Sequence, residues 1–250
     1  MNSVGIIGFG RFGKVLSSIL QKGFSVKAYD GGYVSTIASV KMVDLDEILR
    51  EEVIFIAVPI RRFEEVITEI TPKLGDNQTV IDVCSVKSHP VEVMTRILPG
   101  SVGIIATHPL FGPDSGKQGI AGLKIALCPV RIEPAVYASI CDCLKSFGLI
   151  LVETSPQQHD QQIARSQAIF HLIAQTIKEL QWRGQEVSTP GPEEFYCLLE
   201  TVQHDTDQLF FDMEQDNPHA ADCREKFIYT MTEIHKGLAV SSRKLSGPES

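Results

Sequence analysis

The chain has 250 residues, a formal net charge of −8 at pH 7 and no basic stripe, so it can bury a proper core, and its composition excludes nucleic acid and anionic membranes as partners. No apolar run is long enough to span a bilayer, and the short apolar start, broken by glycine, is expected to be a strand rather than a signal peptide. The six cysteines show no zinc-type spacing, so we expect no metal site and a reduced, cytoplasmic setting.

The first predicted element leads into a glycine-rich turn. Residues 4–13, VGIIGFGRFG, predict a short apolar strand that turns sharply into a helix. Gly8, Gly10 and Gly13 have the G-x-G-x-x-G spacing, which allows a tight bend, the approach of a pyrophosphate and close packing of the helix on the strand. The N–H groups at the start of the helix then attract phosphates. The motif therefore predicts a dinucleotide site.

A second strand, predicted over residues 24–29, ends at Asp30. An acid about 20 residues beyond such a turn is where a carboxylate binds both ribose hydroxyls of NAD. The same charge would repel the 2′-phosphate of NADP, so NAD is the predicted cofactor and NADP is disfavoured. The predicted cofactor-binding residues are Gly8, Gly10, Arg11, Phe12, Gly13, Asp30, Val58 and Pro59.

Strands and helices alternate from there to about residue 152. Apolar runs predict strands over residues 53–58, 79–83, 103–106, 123–128 and 149–152, and amphipathic patterns predict helices over 44–49, 61–70 and 134–147, besides a short helix around Ile37. This alternation predicts an α/β fold with a doubly wound, mostly parallel Rossmann-type sheet. Ligands of such a sheet lie beyond the carboxyl ends of its strands.

Strand patterns stop near Glu153, and the rest of the sequence is helical. A long pattern over residues 160–182 precedes a linker at 184–192, short helical pieces at 195–202 and 209–213, a final helix over 220–238 and a polar tail from Ser241 that is expected to fray. We predict a dinucleotide-binding domain, 1–153, and a smaller all-helical substrate and dimerisation domain, 154–250. The apolar faces of its helices exceed what so small a unit can bury, so a homodimer is expected.

Two polar segments, 84–87 and 107–113, follow predicted strands and should face the nicotinamide end of the cofactor. His108 is the preferred catalytic candidate, because an imidazole there can accept a hydroxyl proton as hydride leaves the same carbon. Ser85 is the second candidate, for a hydrogen bond to that hydroxyl or to the nicotinamide amide, although capping of the following helix explains it nearly as well. Lys87 could pair with a substrate carboxylate or be a solvated surface charge.

The remaining candidates concern a small-molecule substrate. Lys117 is a second cation that could pair with a carboxylate, unless it too is a solvated surface charge. His159, Gln167 and His171 lie where a second domain could close over the substrate, and the last two share a helix face. Asp160, next to His159, is explained by the dipole of the long helix, whose first turn it is predicted to occupy.

Taken together, these residues resemble the prephenate/arogenate dehydrogenase family of tyrosine biosynthesis, and most of all its plant-type arogenate enzymes. The matching segments are 5–13 (GIIGFGRFG), 82–88 (DVCSVKS), 106–123 (ATHPLFGPDSGKQGIAGL) and 159–171 (HDQQIARSQAIFH). The resemblance implies an NAD(P)-dependent oxidative decarboxylation: hydride leaves the ring carbon that bears the 4-hydroxyl, and the ring carboxylate leaves as CO₂. It also implies His108 as the base, Ser85 as its helper and the segment 159–171 as lining of the substrate pocket.

The sequence departs from the family pattern at one place. Bacterial prephenate enzymes often carry an arginine for a substrate carboxylate in the second domain, roughly where this chain has VQH at 202–204. Lys117, Arg165 or a partner subunit could replace it, so prephenate and arogenate both stay open as substrates. Plant-type relatives usually have cofactor residues suited to NADP, whereas Asp30 favours NAD.

Two other functions also stay open. One is another Rossmann reductase with a helical second domain, such as a β-hydroxyacid dehydrogenase. It is disfavoured because the long helix of the second domain has no lysine catalytic motif, since Lys178 lies far from the entry end of that helix. The other is a non-catalytic dinucleotide sensor, which the joint presence of Ser85, His108 and Lys117 disfavours.

Overall fold

The computed structural model describes residues 3–32, 37, 39–116, 119–200, 202 and 205–245, with side chains through residue 238. Within these residues an eight-stranded sheet flanked by helices is followed by a helical part. The prediction of an α/β fold with a mostly parallel Rossmann-type sheet is confirmed.

The sheet has the spatial order β3-β2-β1-β4-β5-β6-β7-β8. Neighbouring strands are parallel except β6 and β7, which are antiparallel. After β1 the chain adds β2 and β3 on one side of that strand, and β4 and the later strands on the other side. The strands are β1 (Ser3–Ile7), β2 (Ser25–Tyr29), β3 (Lys41–Met42), β4 (Val53–Ile56), β5 (Thr79–Asp82), β6 (Gly103–Pro109), β7 (Lys124–Arg131) and β8 (Ile150–Glu153).

The described helices fall into two groups. Five belong to the sheet part: α1 (Arg11–Leu20), α2 (Leu45–Ile48), α3 (Ile60–Ile70), α4 (Ser88–Ile97) and α5 (Pro134–Ser146). Five follow it: α6 (Pro156–Ile163), α7 (Ile169–Glu179), α8 (Pro190–Glu200), α9 (Asp207–Asp216) and α10 (Ala220–Leu245). A π turn, Ala164–Ala168, joins α6 to α7. No helix in the described part of the chain is long and apolar enough to cross a membrane.

The continuous apolar runs are explained by burial on both faces of the sheet. In β4, Phe55 joins a core cluster that includes residues of α1 and α5, while Ile54 and Ile56 join a second cluster with residues of α3 and α4. Successive side chains of a strand point to opposite faces, so a central strand covered by helices on both sides is apolar at every position.

Several element boundaries differ from the sequence prediction. β3 was not predicted, because a two-residue strand gives too short a pattern to detect. β6 extends to Pro109, because its antiparallel pairing with β7 continues to that residue, so His108 lies inside the strand and not after it. The predicted short helix around Ile37 lies mostly outside the described residues.

The helical part also differs in detail. α6 begins at Pro156, four residues before the predicted start, because Ser155 caps it with its side chain. α8 begins at Pro190, inside the predicted linker, since proline is well tolerated in the first turn of a helix. α10 continues to Leu245, seven residues beyond the predicted end of the final helix at residue 238.

Candidate active site

The glycine-rich turn lies at the point where the strand order of the sheet reverses. β1 stands between β2 and β4, and ligands of open α/β sheets bind in the crevice that forms at such a point. Residues 8–13 border this crevice on one side. On the other side Val58 and Pro59 follow β4, and the N–H of Ala57 donates to the carbonyl of Ile7 over 2.7 Å.

The glycines of the turn fit a bound dinucleotide. Gly8 has a φ of +98°, and a Cβ there would lie 2.4 Å from the carbonyl oxygen of Ala57. A Cβ on Gly13 would lie 2.2 Å from the carbonyl oxygen of Gly8, so glycine lets α1 pack directly on the turn. A Cβ on Gly10 would have nothing within 4 Å, and no side chain caps the start of α1 there. Open space before an uncapped helix start suits a pyrophosphate.

Asp30 follows β2 directly and faces the turn. Its Oδ2 accepts a hydrogen bond from the N–H of Phe9 at 2.7 Å, and its Oδ1 accepts one from the N–H of Gly32 at 2.9 Å. A carboxylate has about four lone-pair positions, so about two remain for hydroxyl donors such as those of a ribose. The two backbone bonds fix the carboxylate in that position.

Arg11 and Phe12 connect the turn to the segment after β6. The guanidinium of Arg11 forms an ion pair with Asp114 at 2.9 Å, and the ring of Phe12 packs against that of Phe111 with centroids 6.5 Å apart. The glycine turn and the segment that follows His108 are therefore in contact.

A hydrogen-bonded row of three side chains lies at the end of β6. Nδ1 of His108 is 2.9 Å from Nε2 of His159 on α6, and Nδ1 of His159 is 2.8 Å from Oδ1 of Asp160. All three side chains are buried, with His108 only 5% exposed. The row connects the sheet to the first helix of the helical part, and Nε2 of His108 is the ring nitrogen that stays outside it.

Asp160 also caps a helix other than its own. Its Oδ1 accepts from the N–H of Lys87 at 2.8 Å and its Oδ2 from the N–H of Ser88 at 2.7 Å, at the start of α4. Burial raises the pKa of Asp160, but hydrogen bonds from His159 and Ser88 outweigh it and bring the pKa below its ordinary value. The prediction that Asp160 occupies the first turn of its helix and complements that helix's dipole is wrong, because α6 starts four residues earlier.

The imidazole of His108 is held in its neutral form. Burial is the main cause that lowers its pKa well below 6.5, and the charge of Lys87 lowers it further. A neutral imidazole has one ring nitrogen with a free lone pair. At neutral pH His108 is therefore able to accept a proton.

Lys87 has a structural role that neither sequence interpretation anticipated. Its side chain is fully buried and pairs with Asp82 at the end of β5, and its Nζ donates to the carbonyl of Thr107 at 2.5 Å. Oγ1 of Thr107 donates in turn to the carbonyl of Asp82. Lys87 is thus neither a substrate ligand nor a solvated charge. It fixes the backbone immediately before His108.

Ser85 follows β5 next to this group. Its Oγ is buried and, among the described residues, has no hydrogen-bond partner. Helix capping does not explain it, because Lys87 occupies the N-cap position of α4 and the cap is provided by the side chain of Asp160. A ligand hydroxyl or amide would satisfy the Ser85 hydroxyl, which is the role that its position after the strand predicts.

The predicted substrate residues of the helical part do not lie in one place. His171 lines a cavity of about 560 Å³ between α7, α8 and α9, together with Lys178, Trp182, Tyr196 and Phe210. Burial lowers the pKa of His171 to about 4. Gln167, in the π turn, instead donates its amide to Sδ of Met213 over 3.7 Å. Lys117 and residues 203–204, where the family arginine was sought, lie outside the described residues.

Sequence reasoning missed the functional arrangement of Asp160 and Asp82. Asp160 depends on partners distant in the chain, such as Ser88, and no spacing signals such contacts. Asp82 pairs with Lys87 only five residues away, but the sequence does not show that both side chains are buried. The π turn directly after the His159–Asp160 pair was also unsignalled, although π turns inside helices often mark functional sites. Across the described residues no group of three or more His, Cys, Asp or Glu side chains is suited to hold a metal ion.

The comparisons with known proteins find similarity to prephenate and arogenate dehydrogenases. Residues 29–146 match the family model described as the nucleotide-binding domain of prephenate dehydrogenase. Arogenate dehydrogenase 1, chloroplastic, from Arabidopsis thaliana is 31% identical over 237 residues, which are 90% of this chain and 37% of that protein. Arogenate dehydrogenase 2, chloroplastic, from the same plant is 27% identical over 248 residues, 94% of this chain and 69% of that protein. This chain thus spans little more than a third of the first relative's length.

The fold is shared with a solved structure. Prephenate dehydrogenase from Aquifex aeolicus, crystallised in complex with hydroxyphenyl propionate and NAD⁺, superposes with a TM-score of 0.77 over 97% of this chain and 92% of that chain. The sequence identity is 17%. At that identity the likeness establishes the fold.

Proposed function

We propose that the chain belongs to the prephenate/arogenate dehydrogenase family, on the match of residues 29–146 to a prephenate dehydrogenase nucleotide-binding domain and the 31% identity with a plant arogenate dehydrogenase. On the same grounds we propose that it catalyses the NAD-dependent oxidative decarboxylation of arogenate or prephenate in tyrosine biosynthesis. The observation that carries the proposal is the placement of a buried neutral histidine, His108, at the end of a strand, in a segment that contacts the glycine-rich turn. That arrangement puts a base next to the crevice where a dinucleotide would lie.

The cofactor would be held by the crevice at the strand reversal. The uncapped start of α1 and the space before Gly10 would take the pyrophosphate, and the two remaining acceptor positions of Asp30 would take the ribose hydroxyls. When bound, NAD supplies the hydride acceptor. The charge of Asp30 disfavours a 2′-phosphate, which supports NAD over NADP.

His108 would move the proton of the reaction. As hydride leaves the ring carbon that bears the 4-hydroxyl, Nε2 of His108 takes the hydroxyl proton. The ring carboxylate then leaves as CO₂, its bonding electrons enter the ring and make it aromatic, and His108 returns the proton to the phenolate oxygen. The buried Oγ of Ser85, without a partner among the described residues, would hydrogen-bond the same hydroxyl.

The substrate would be enclosed by the helical part of the chain, 154–250. His171 and Gln167 stay candidates for lining the substrate pocket, although His171 lines a cavity and Gln167 contacts Met213. Lys117 stays a candidate for pairing with a substrate carboxylate. His159 is a weaker candidate for binding the substrate, because both of its ring nitrogens are already hydrogen-bonded to protein groups.

We also propose that the protein is a homodimer formed through its helical part. α10 carries exposed apolar side chains at helical spacing: Ile228, Met231, Ile234 and Leu238 are each more than half exposed. A second copy of the same helix would cover this stripe, and such twofold interfaces are the commonest in oligomers. The cytoplasmic setting likewise stays a proposal, supported by six free cysteines.

The proposed function is tested by incubating the full chain and NAD⁺ separately with arogenate, with prephenate and with a β-hydroxyacid, and following the absorbance of reduced nicotinamide. We expect turnover with arogenate or prephenate and none with the β-hydroxyacid. Turnover with the β-hydroxyacid alone would identify a different reductase, and dinucleotide binding without any turnover would identify a sensor.

A further inference from the structure

We propose that His159 and Asp160 are positioning residues that fix the tautomer of His108, so that Nε2 of His108 always presents its lone pair to the substrate. The inference rests on the proposed function for its catalytic meaning. The row of hydrogen bonds itself is a property of the chain without any ligand. It assigns to His159 a role different from that of a pocket-lining residue.

The direction of the row is set at Asp160. Its two oxygens accept from backbone N–H groups at the start of α4, and its low pKa keeps it a carboxylate. A carboxylate only accepts hydrogen bonds. The contact of 2.8 Å with Nδ1 of His159 is therefore made by a proton on that nitrogen.

The proton on His159 determines the proton on His108. A neutral imidazole with its hydrogen on Nδ1 has a lone pair on Nε2. The proposal includes a neutral His159, whose Nε2 accepts across the 2.9 Å contact while Nδ1 of His108 donates. With its hydrogen on Nδ1, neutral His108 has its lone pair on Nε2, the nitrogen outside the row. The wrong tautomer would point an N–H at the substrate hydroxyl and could not take its proton.

Other charged groups around the row do not change this direction. Lys87 is nearby but pairs with Asp82 and the carbonyl of Thr107, so its charge is already matched. The second anchor of the row is Asn217, whose amide donates to the carbonyl of Asp160 at 2.9 Å. The carboxylate is thus held by contacts to α4 and, through its backbone, by the segment before α10.

The tautomers are measured directly, without substrate. The full chain is labelled with ¹⁵N-histidine, and long-range proton–nitrogen NMR spectra are recorded at neutral pH, with His108→Asn and His159→Asn variants to assign the two rings. We expect both rings to be neutral with hydrogen on Nδ1, the form that free histidine disfavours. Hydrogen on Nε2 of His108, or two protonated nitrogens on His159, would overturn the proposal.

Two variants at His159 test the consequence for the rate. In His159→Gln an amide oxygen lies about where Nε2 was and still accepts from Nδ1 of His108, whereas His159→Leu offers no acceptor, and both leave the contacts of Asp160 to α4 in place. We expect kcat to fall by less than about 10-fold for Gln and by roughly 10²-fold for Leu, with KM little changed in either. Equal rates for the two variants would contradict the proposal.

The Asp160→Asn variant is expected to reverse the tautomers of both histidines. An amide N–H donating to Nδ1 of His159 would move hydrogen to Nε2 of both rings, so we expect kcat to fall by about 10²-fold or more and the ¹⁵N pattern to invert. Asp142→Asn, at an exposed site on α5, is the matched control and should leave rate and spectrum unchanged. If the tautomers are as proposed but no substrate turns over, the proposed function fails and the row stands. If turnover is normal but the tautomers differ from those proposed, the proposed function stands and the positioning role of His159 and Asp160 fails.

Discussion

Replacing Asp30 tests how this protein selects its cofactor. The carboxylate accepts from the N–H groups of Phe9 and Gly32 and lies at the carboxyl end of β2. Asp30→Asn removes the charge but keeps one oxygen that can accept one of these two bonds. Asp30→Ser removes the charge and also shortens the side chain. Comparing the two separates electrostatic repulsion from the loss of backbone contacts.

The size of the effect follows from the charges. A phosphate monoester carries about −1.5 to −2 charges at pH 7. At about 4 Å from a carboxylate, each pair of unit charges repels by about 1 kcal/mol in water and about 4 kcal/mol at the effective dielectric typical of a protein surface. Asp30 is half-buried, so its surroundings are less polar than bulk water and the value for water is a lower bound. For a doubly charged phosphate this bound is about 2 kcal/mol, which corresponds to about 30-fold in kcat/KM.

The assay compares kcat/KM for NAD and NADP at fixed substrate. We expect the wild type to prefer NAD by about 30-fold or more, and Asp30→Asn to remove most of that preference. Asp142→Asn, remote from the crevice on α5, should keep the wild-type ratio. If the wild type used NADP as well as NAD, or if Asp30→Asn left the ratio unchanged, the electrostatic argument would be refuted.

Three further predictions concern the base, the stability and the assembly. His108→Asn should lower kcat by about 10²–10⁴-fold without changing NAD affinity in a binding titration, and a near-wild-type rate or a collapsed melting temperature would remove its catalytic role. Because folding lowers the pKa of His171 from 6.5 to about 4, the unfolded chain takes up the proton first as the pH falls. Its contribution to stability should be complete above pH 6.5 and decline towards pH 4, by up to about 3 kcal/mol, and denaturant titrations should show a shallower decline for His171→Gln. Light scattering at micromolar concentration should show a dimer that Ile234→Glu shifts to monomer, and a stable wild-type monomer would contradict the α10 interface.

The sequence predicts every strand of the sheet except β3, because the signals of the longer strands are local. The apolar run of β4 follows directly from burial on both faces, and the glycine spacing at Gly8 and Gly13 follows from contacts made within a few residues or with the neighbouring strand. The end of β6 was missed for the opposite reason. A strand continues as long as its partner pairs with it, and the partner, β7, comes later in the chain.

The candidate site was only half predictable. The position of Ser85 after β5 follows from the rule that ligands lie beyond the carboxyl ends of parallel strands, whereas His108, predicted from the same rule, lies inside β6 near its end. Lys87 and Asp160 were misinterpreted because a charged residue in a sequence is assigned to solvent or to its own helix by default. Capping of α4 by Asp160 from 72 residues away depends on how the helical part docks on the sheet, and burial of Lys87 depends on its pairing with Asp82 at the end of β5.

The measurement that tests the central claim most directly is the stoichiometry of the reaction. Substrate labelled with ¹³C in the ring carboxylate is incubated with the full chain and NAD⁺, and labelled CO₂ and reduced nicotinamide are quantified in the same sample. The account predicts equal amounts of the two, together with the aromatic product. Reduced nicotinamide without CO₂ would mean that the ring is oxidised but not decarboxylated, and would contradict the proposed reaction.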